Sequence, residues 1–369
     1  MSSFSDFDRQ CMQRALELAA RGIGTTDPNP RVGCVIARDG AVIAEGWHEA
    51  AGQPHAEAIA LAAAGTRAAG ATLYVTLEPC AHHGRTPPCT EAIIGSRVGR
   101  VIYAIADPNP KVVGGGAQLL MRAGIEVACG LLAEAASELN VGFLRRMRAG
   151  RPWVRLKIGA SLDGRTALAN GASHWITSEE ARADVQLWRA RSGAVMTGVG
   201  TVLADDPRLN VRSPGKVGRQ PLRVILDSHL STPPSAAVFS QAGAVHIFTV
   251  TSDSALSRPL QDRGATVEVV IPAADGRVNL AAVLSRLAEL ETNELLVEAG
   301  SRLAGTLVGA GLVDELLLYI APTLLGSDAR PLATMPPLAA LGEAPHYALI
   351  DHVQVGPDLR LRLRQAEHG

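Results

Sequence analysis

Residues 55–89 read HAEAIALAAAGTRAAGATLYVTLEPCAHHGRTPPC. His55-Ala56-Glu57 heads an apolar run to Ala64 that reads as a helix, and Ala71 to Leu77 reads as a strand ending just before Pro79-Cys80. Cys89 follows one loop later. One His and two Cys can hold Zn²⁺ tetrahedrally and leave a fourth position open for water, the ligand count of a catalytic rather than a structural zinc. A water on zinc is acidified towards neutrality, and a neighbouring group must then carry protons to whatever leaves. Glu57, two residues from the His, fits that role. His-x-Glu followed by Pro-Cys and a second Cys is the signature of zinc deaminases, with the Glu outside the ligand set. Here eight residues separate Cys80 from Cys89, where the short form has two. Cys11, Cys34 and Cys129 lie in apolar stretches and read as packing.

Outward from this stretch, helices and strands alternate. Ser5 with Asp8 opens an amphipathic helix, apolar at Phe7, Met12, Ala15, Leu16 and Ala19, that ends near Gly22. Asp27-Pro28-Asn29-Pro30 is a turn, and Val32 to Ala37 and Val42 to Ala44 flank Asp39-Gly40 as a hairpin. Strands at Arg100 to Ala106 and Ile125 to Cys129 complete an α/β layer pattern. A helix from Leu131 runs into Arg145-Arg146-Met147-Arg148-Ala149-Gly150-Arg151-Pro152, where clustered charge, Gly and Pro mark a domain boundary. Domains of 1–149 and 150–369 follow, and 369 residues is a two-domain length. Beyond the boundary the pattern restarts with a strand at Trp153 to Gly159 and a helix opened by Thr177 with Glu180 as its capping box. Further strands are predicted at Ala194 to Thr197, Leu222 to Leu226, Val245 to Val250, Thr266 to Ile271, Leu295 to Val297 and Glu315 to Ile320. Leu359 to Arg364 alternates Leu and Arg strictly, which predicts a half-exposed strand with its arginines on the solvent face.

Composition narrows the function. Lys and Arg total 35 against 36 Asp and Glu, a net charge of −1, and aromatic residues are 4% of the chain. That combination argues against a general nucleic-acid or membrane-surface binder. The apolar run Leu316 to Gly326 is cut by Pro322, so no transmembrane helix is predicted. Asp6, Asp8 and Arg9 stand where an export signal would be apolar, and five cysteines are too few and of odd number for a disulfide scaffold. A cytoplasmic protein with reduced thiols is expected. Two rival readings remain at this point: a tRNA-adenosine-type base deaminase carrying an unrelated second domain, and a nucleotide sensor without catalysis.

The second half shows no Rossmann fingerprint. Gly198-Val199-Gly200 begins like one, but Leu203 sits where the third Gly belongs and no helix clearly starts there. A better phosphate cradle is the strand Leu295-Leu296-Val297-Glu298 breaking at Ala299-Gly300 into a helix through Thr306, whose first amides would face an anion.

The loop Cys80-Ala81-His82-His83-Gly84-Arg85-Thr86-Pro87-Pro88-Cys89 closely resembles that of the bifunctional riboflavin-biosynthesis deaminase-reductases. The resemblance extends through Asp27-Pro28-Asn29-Pro30-x-Val32-Gly33 and Gly46-Trp47-His48, and so covers the first domain. In the second half Lys157-Ile158-Gly159-Ala160-Ser161-Leu162-Asp163-Gly164, Ser173-His174-Trp175-Ile176-Thr177-Ser178 and Gly200 to Leu209 look like the reductase of the same family. The resemblance implies an α/β fold, with an N-terminal cytidine-deaminase-like α/β/α layer domain and a C-terminal dihydrofolate-reductase-like α/β domain. It implies hydrolytic, zinc-dependent deamination of a diaminopyrimidinone ribosyl phosphate, then NADPH reduction of the ribosyl group to ribityl. By position, Asn29, His48, His82 and Arg85 would contact the pyrimidine and its ribosyl phosphate. Lys157, Ser173, Arg189, Leu209, Arg212 and Glu298 would face substrate in the second site. Gly159, Trp175, Thr201, Asp205, Ser228 and the turn Gly300, Ser301, Arg302, Leu303, Ala304, Gly305 and Thr306 would face NADPH. Arg189 and Arg212 can pair with a dianionic phosphate, and Trp175 can wall a flat ring. The partners implied are small ribosyl phosphates, neither nucleic acid nor membrane, and a second copy of the chain, with a dimer favoured.

Overall fold

Helix α1 (Asp6–Ala20) starts where Ser5 and Asp8 exchange hydrogen bonds: the Asp8 N–H donates to the Ser5 hydroxyl at 3.1 Å and the Ser5 N–H to the Asp8 carboxylate at 2.9 Å. The capping box read from the sequence thus begins the chain's first element. The computed structural model describes residues 4–81, 87–109, 115–212 and 219–366. The chain divides into two units, Met1–Gly150 and Arg151–Gly369.

The first unit continues with β1 (Gly33–Arg38), β2 (Ala41–Trp47), α2 (Ala56–Ala64), β3 (Thr72–Leu77), α3 (Cys89–Gly95), β4 (Arg100–Ile105), α4 (Gly115–Arg122), β5 (Glu126–Cys129), α5 (Ala133–Leu139) and α6 (Val141–Ala149). Asp39 and Gly40 both take positive φ, 53° and 76°, which gives the two-residue turn that matches strand twist. The sheet runs β2-β1-β3-β4-β5, antiparallel at β2-β1-β3 and parallel from β3 to β5. Alternate strand residues point to opposite faces. Cys34, Ile36, Leu73, Val75 and Val101 pack under α2, α3 and α4, and Val35, Ala37, Tyr74 and Ile102 under α1 and α5. This is an α/β/α layer. The helix expected from Leu131 is two helices, broken at Asn140, whose side chain accepts the Arg31 N–H and donates to the Arg31 carbonyl. Cys11 and Cys34 are buried as read, but Cys129 is exposed, because it closes the outermost strand.

The second unit comprises β6 (Trp153–Ser161), β7 (Arg165–Ala167), α7 (Glu179–Arg191), β8 (Ala194–Gly198), α8 (Val199–Asp205), β9 (Leu222–Leu226), β10 (Val245–Thr249), α9 (Ser254–Gln261), β11 (Ala265–Val269), α10 (Leu280–Glu289), β12 (Glu294–Glu298), α11 (Ser301–Gly309), β13 (Glu315–Ala321), β14 (Arg330–Pro331), β15 (Tyr347–Val355) and β16 (Asp358–Gln365). Its large sheet is ordered β11-β10-β9-β8-β12-β6-β13-β16-β15, and only the last two strands run antiparallel to their neighbours. Helices α10 and α11 cover one face, and α7 and α9 the other.

Four readings need correction. The α7 cap is Ser178, whose hydroxyl accepts the Ala181 N–H at 3.2 Å, rather than Thr177. A helix, α8, does start after Gly198. The strand β15 was not anticipated, because its mixed side chains carry no period. The arginines of β16 turn inward: Arg360 pairs with Asp184 at 2.9 Å and Arg362 and Arg364 with buried Glu315 at 3.0 and 3.1 Å, while Leu359 is exposed. No helix among the described residues is long and apolar enough to cross a membrane.

Candidate active sites

Three elements converge at the first site. His55 is the residue before α2, Cys80 follows β3, and Cys89 is the first residue of α3. His55 Nδ1 lies 3.3 Å from Cys89 Sγ and 3.6 Å from Cys80 Sγ, and the three ligand atoms all fall within 4.8 Å of one another. Tetrahedral zinc with Zn–N near 2.0–2.1 Å and Zn–S near 2.3 Å sets its nitrogen and sulfur ligands roughly 3.6 Å apart, so this donor set fits the ion. The Cys89 N–H donates to Cys80 Sγ at 3.3 Å, and the Thr90 N–H and hydroxyl both reach the Cys80 carbonyl. A hydrogen bond from the Cys89 thiol, more than the one from its backbone N–H, pulls the Cys80 thiol down, and Cys89 is pushed up in turn.

Glu57 is in the first turn of α2, buried, and burial raises its pKa, with the Cys80 charge acting in the same direction. His48 is oriented from both ring nitrogens: Nδ1 lies 3.0 Å from the Pro54 carbonyl and Nε2 3.0 Å from the Asn29 amide nitrogen. A carbonyl only accepts, so Nδ1 carries the proton and Nε2 accepts from Asn29. Burial lowers the His48 pKa, which keeps that neutral tautomer. Asn29 and His48 therefore stand together beside His55, whose ring centroid is 5.6 Å from that of His48. His82 and Arg85 lie outside the described residues. Glu78, which sequence reading passed over, is buried next to Pro79-Cys80. It accepts the Ala117 N–H at 3.1 Å and the Asp107 N–H at 3.4 Å. It thereby holds the start of α4 against the ligand-bearing turn, and its signal was a carboxylate immediately before Pro-Cys.

In the second unit the parallel strands β6, β8, β9 and β12 end at one edge of the sheet. There Lys157 and Glu298 are register partners, both half-buried. Burial lowers the Lys157 pKa. For Glu298 burial acts upward most strongly of any single influence, but Arg189, Lys157 and Arg212 together outweigh it and the carboxylate is held below its ordinary value. Arg189, read above as a phosphate partner, is engaged by a carboxylate in this structure. Its Nε and Nη2 grip Glu298 at 2.5 and 3.0 Å, and Nη1 donates to the Asn210 carbonyl at 2.9 Å. Leu209 is buried with φ of 53°, and the Arg212 N–H donates to Gln186 on α7. A Cβ on Gly159 would stand 3.1 Å from the Thr177 methyl, so the loop carrying Ser173 and Trp175 lies over the end of β6.

The cofactor candidates gather at the same edge. A Cβ on Gly198 would lie 3.5 Å from Leu303, which puts the start of α8, with Thr201 in its first turn, beside the start of α11; Asp205 is the last residue of α8. Ser228 follows β9, its hydroxyl accepting the Val278 N–H at 3.2 Å. Gly300 has open space where a Cβ would be, and the first amide of α11 to meet a helical carbonyl is that of Ala304. The amides of Ser301, Arg302 and Leu303 have no partner within the helix, which suits a pyridine-nucleotide phosphate. Ala304 and Gly305 face inward instead: Ala304 is fully buried and a Cβ on Gly305 would come within 1.9 Å of the Thr334 carbonyl oxygen. The Thr306 hydroxyl bonds back to the Arg302 carbonyl.

Residues 5–105 match the cytidine and deoxycytidylate deaminase zinc-binding region, and residues 152–361 match the RibD C-terminal domain. Fold and sites together define a zinc-dependent deaminase joined to a dihydrofolate-reductase-like reductase. The riboflavin biosynthesis protein RibD of Escherichia coli (strain K12) is 49% identical over 368 residues, covering 96% of this chain and 99% of its own. The RibD structure from Acinetobacter baumannii superposes with a TM-score of 0.91 at 45% identity, over 98% of this chain and 99% of that one. A Thermotoga maritima structure described as a diaminohydroxyphosphoribosylaminopyrimidine deaminase and 5-amino-6-(5-phosphoribosylamino)uracil reductase gives a TM-score of 0.85 at 33% identity, over 98% and 99%. The chain belongs to the RibD family: it is a bifunctional deaminase and reductase of riboflavin biosynthesis that uses Zn²⁺ and NADPH.

Proposed function

We propose that residues 1–149 hydrolyse the 2-amino group of 2,5-diamino-6-(5-phosphoribosylamino)pyrimidin-4-one, and that residues 150–369 reduce the ribosyl group of the deaminated product to ribityl. The observation that carries the reading is the meeting of His55, Cys80 and Cys89 beside a buried Glu57. When bound, zinc supplies an acidified water. Glu57, its pKa raised by burial, takes a proton from the attacking water and delivers it to the exocyclic nitrogen, which leaves as ammonia. The Asn29 amide, with its N–H bonded to His48, presents a fixed edge to the ring, and His82 and Arg85 serve the ribosyl phosphate. In the second unit NADPH supplies hydride. Lys157 and Glu298 face the ribosyl carbon and oxygen, Arg189 keeps Glu298 ionised and in place, Arg212 meets the phosphate, and the start of α11 with Ser228 and Thr201 holds the cofactor.

A cytoplasmic homodimer is the setting we favour. The five cysteines are all free, as a reducing compartment requires, and Leu349, Ile350 and Val353 on the edge hairpin are exposed apolar side chains that a second copy would cover. The test supplies each intermediate separately to intact and chelator-treated protein, following ammonia and 340 nm absorbance. Chelation should abolish ammonia release while NADPH oxidation with 5-amino-6-(5-phosphoribosylamino)uracil continues. Loss of both, with circular dichroism unchanged, would overturn the division of labour.

A further inference from the structure

In the second unit β8 and β12 are neighbours, yet the chain leaves β8 into α8 on the face covered by α7 and α9 and leaves β12 into α11 on the other. Where adjacent strands send the chain to opposite faces, a crevice opens at their carboxyl ends, and nucleotides bind there. Lys157 and Glu298 mark the β6 side of that crevice. A dinucleotide that presents its nicotinamide to them carries its other half over β8 towards β9, three strand spacings or about 14 Å from β6. The segment that follows β9 is held in one conformation. Asp227, next after the strand, is fully buried. Its carboxylate accepts the N–H of His229 at 3.4 Å, of Ser231 at 3.0 Å and of Thr232 at 2.7 Å, and the Thr232 hydroxyl at 2.7 Å. Within the turn Leu230 has a φ of 54° with its side chain buried, a left-handed conformation that persists in a bulky residue only where the surroundings over-determine it. The turn is tied on its outer side as well. The Ser228 carbonyl accepts the Thr249 hydroxyl at 3.1 Å, the Ser228 hydroxyl accepts the Val278 N–H at 3.2 Å, and Asp206, at the end of α8, accepts the Ala237 N–H at 2.7 Å. His229 is left exposed at the strand end.

We infer that Asp227 is a positioning residue for NADPH: its carboxylate fixes the turn at residues 228–232, and that turn receives the adenosine half of the cofactor while the start of α11 takes the phosphates. The inference rests on the reductase reading above. A turn ordered before the ligand arrives spares binding the entropy of ordering it, and a loosened turn returns that cost. Asp227 touches no ligand itself and acts through the turn it holds.

Full-length, zinc-loaded protein carrying Asp227→Asn, Thr232→Val or Thr232→Ser tests it. NADPH affinity is read by fluorescence titration without pyrimidine present and by the rise in Tm that NADPH causes, alongside kcat and the KM values for NADPH and 5-amino-6-(5-phosphoribosylamino)uracil. Asp227→Asn replaces an accepting oxygen with an amide nitrogen that cannot accept. It should raise the NADPH Kd and KM about tenfold or more, while the pyrimidine KM and kcat at saturating NADPH move by about twofold at most. Thr232→Val removes the hydroxyl donor at constant shape and should raise the NADPH Kd about threefold; Thr232→Ser keeps that donor and should recover most of the loss. An NADPH Kd unchanged in both Asp227→Asn and Thr232→Val overturns the inference and leaves the reductase reading standing. Equal rises in both KM values, with a lowered Tm, would make Asp227 a residue of the unit's stability and overturn its assignment to the cofactor. If the wild-type protein binds no NADPH, the reductase reading falls and the inference with it. Should Asp227→Asn fail to fold, the Thr232 pair decides: equal NADPH affinity in the Val and Ser variants overturns the role of the held turn.

Discussion

Glu57 shows how one side chain acquires a role from its surroundings. It follows a zinc-ligand candidate by two positions, which the sequence displays, and the proton-carrying role proposed for it rests on burial, which raises its pKa above the ordinary carboxylate value. Glu57→Gln keeps shape and the three ligands while removing the titrating oxygen. Zinc content by metal analysis should stay at the wild-type level and ammonia release should fall by about 10²-fold or more. Turnover near wild type with zinc retained would assign the proton transfer elsewhere. Residue chemistry of this kind was legible because His, Cys and Glu in that spacing have few other uses. The cap of α7 was missed by one residue for a local reason: Thr177 and Ser178 both carry hydroxyls, but the Thr177 carbonyl is taken by Arg182, and Ser178 has the extended backbone, φ of −65° and ψ of 170°, from which a side chain reaches the helix amides.

At the scale of elements, β1 and α1 are set by a glycine. A Cβ on Gly33 would stand 2.0 Å from the Ala15 carbonyl oxygen and 2.7 Å from the Ala19 amide nitrogen, so helix and strand touch backbone to backbone. Gly33→Ala should force α1 off the sheet and cost on the order of 1–3 kcal/mol, or more, read as a lower Tm for the transition that tracks bound zinc. An unchanged Tm would mean that α1 can shift without loss. Elements with a clear period, such as α1 and β3, were readable, and the hairpin at Asp39-Gly40 announced itself by its turn. Helix α8 was not, because Gly198 and Gly200 are poor helix formers and its position is decided by Leu303 packing against Gly198 across the sheet edge.

At the scale of the whole second unit, the sheet is closed by a buried ion network rather than by leucines alone. Arg155, fully buried, pairs with Glu294 at 3.0 Å and Glu315 at 2.6 Å. Arg191 joins Glu294, and Arg362 and Arg364 join Glu315. The Trp188 ring lies under Arg155 at 4.6 Å. Burial pushes the Glu315 pKa up, but Arg155 and Arg362 outweigh it and hold it at about 2, against an ordinary 4.5. Because the folded value is the lower one, this carboxylate stabilises the fold above pH 4.5, and that contribution fades as pH falls from there through about 2. The shift corresponds to about 3 kcal/mol at neutral pH. Glu315→Gln should destabilise the unit by about 3–5 kcal/mol at pH 7 by stranding buried arginines, and should flatten the acid limb of Tm against pH. The same acid limb in variant and wild type would remove Glu315 as its source.

The sequence by itself brought out the three zinc-ligand candidates, Glu57, a break near Gly150 and the α/β alternation, since these rest on residue type and on periods that neighbours along the chain share. Tertiary structure decided what the arginines do. In β16 strict alternation pointed to a solvent face, and Arg189 in α7 showed no partner along the chain, because a sequence shows charges without their partners. The partners, Glu315 at 47 and 49 residues from Arg362 and Arg364 and Glu298 at 109 residues from Arg189, are brought opposite only by sheet order and helix packing. A guanidinium taken out of water needs a carboxylate within reach, and which one it finds is fixed by the fold.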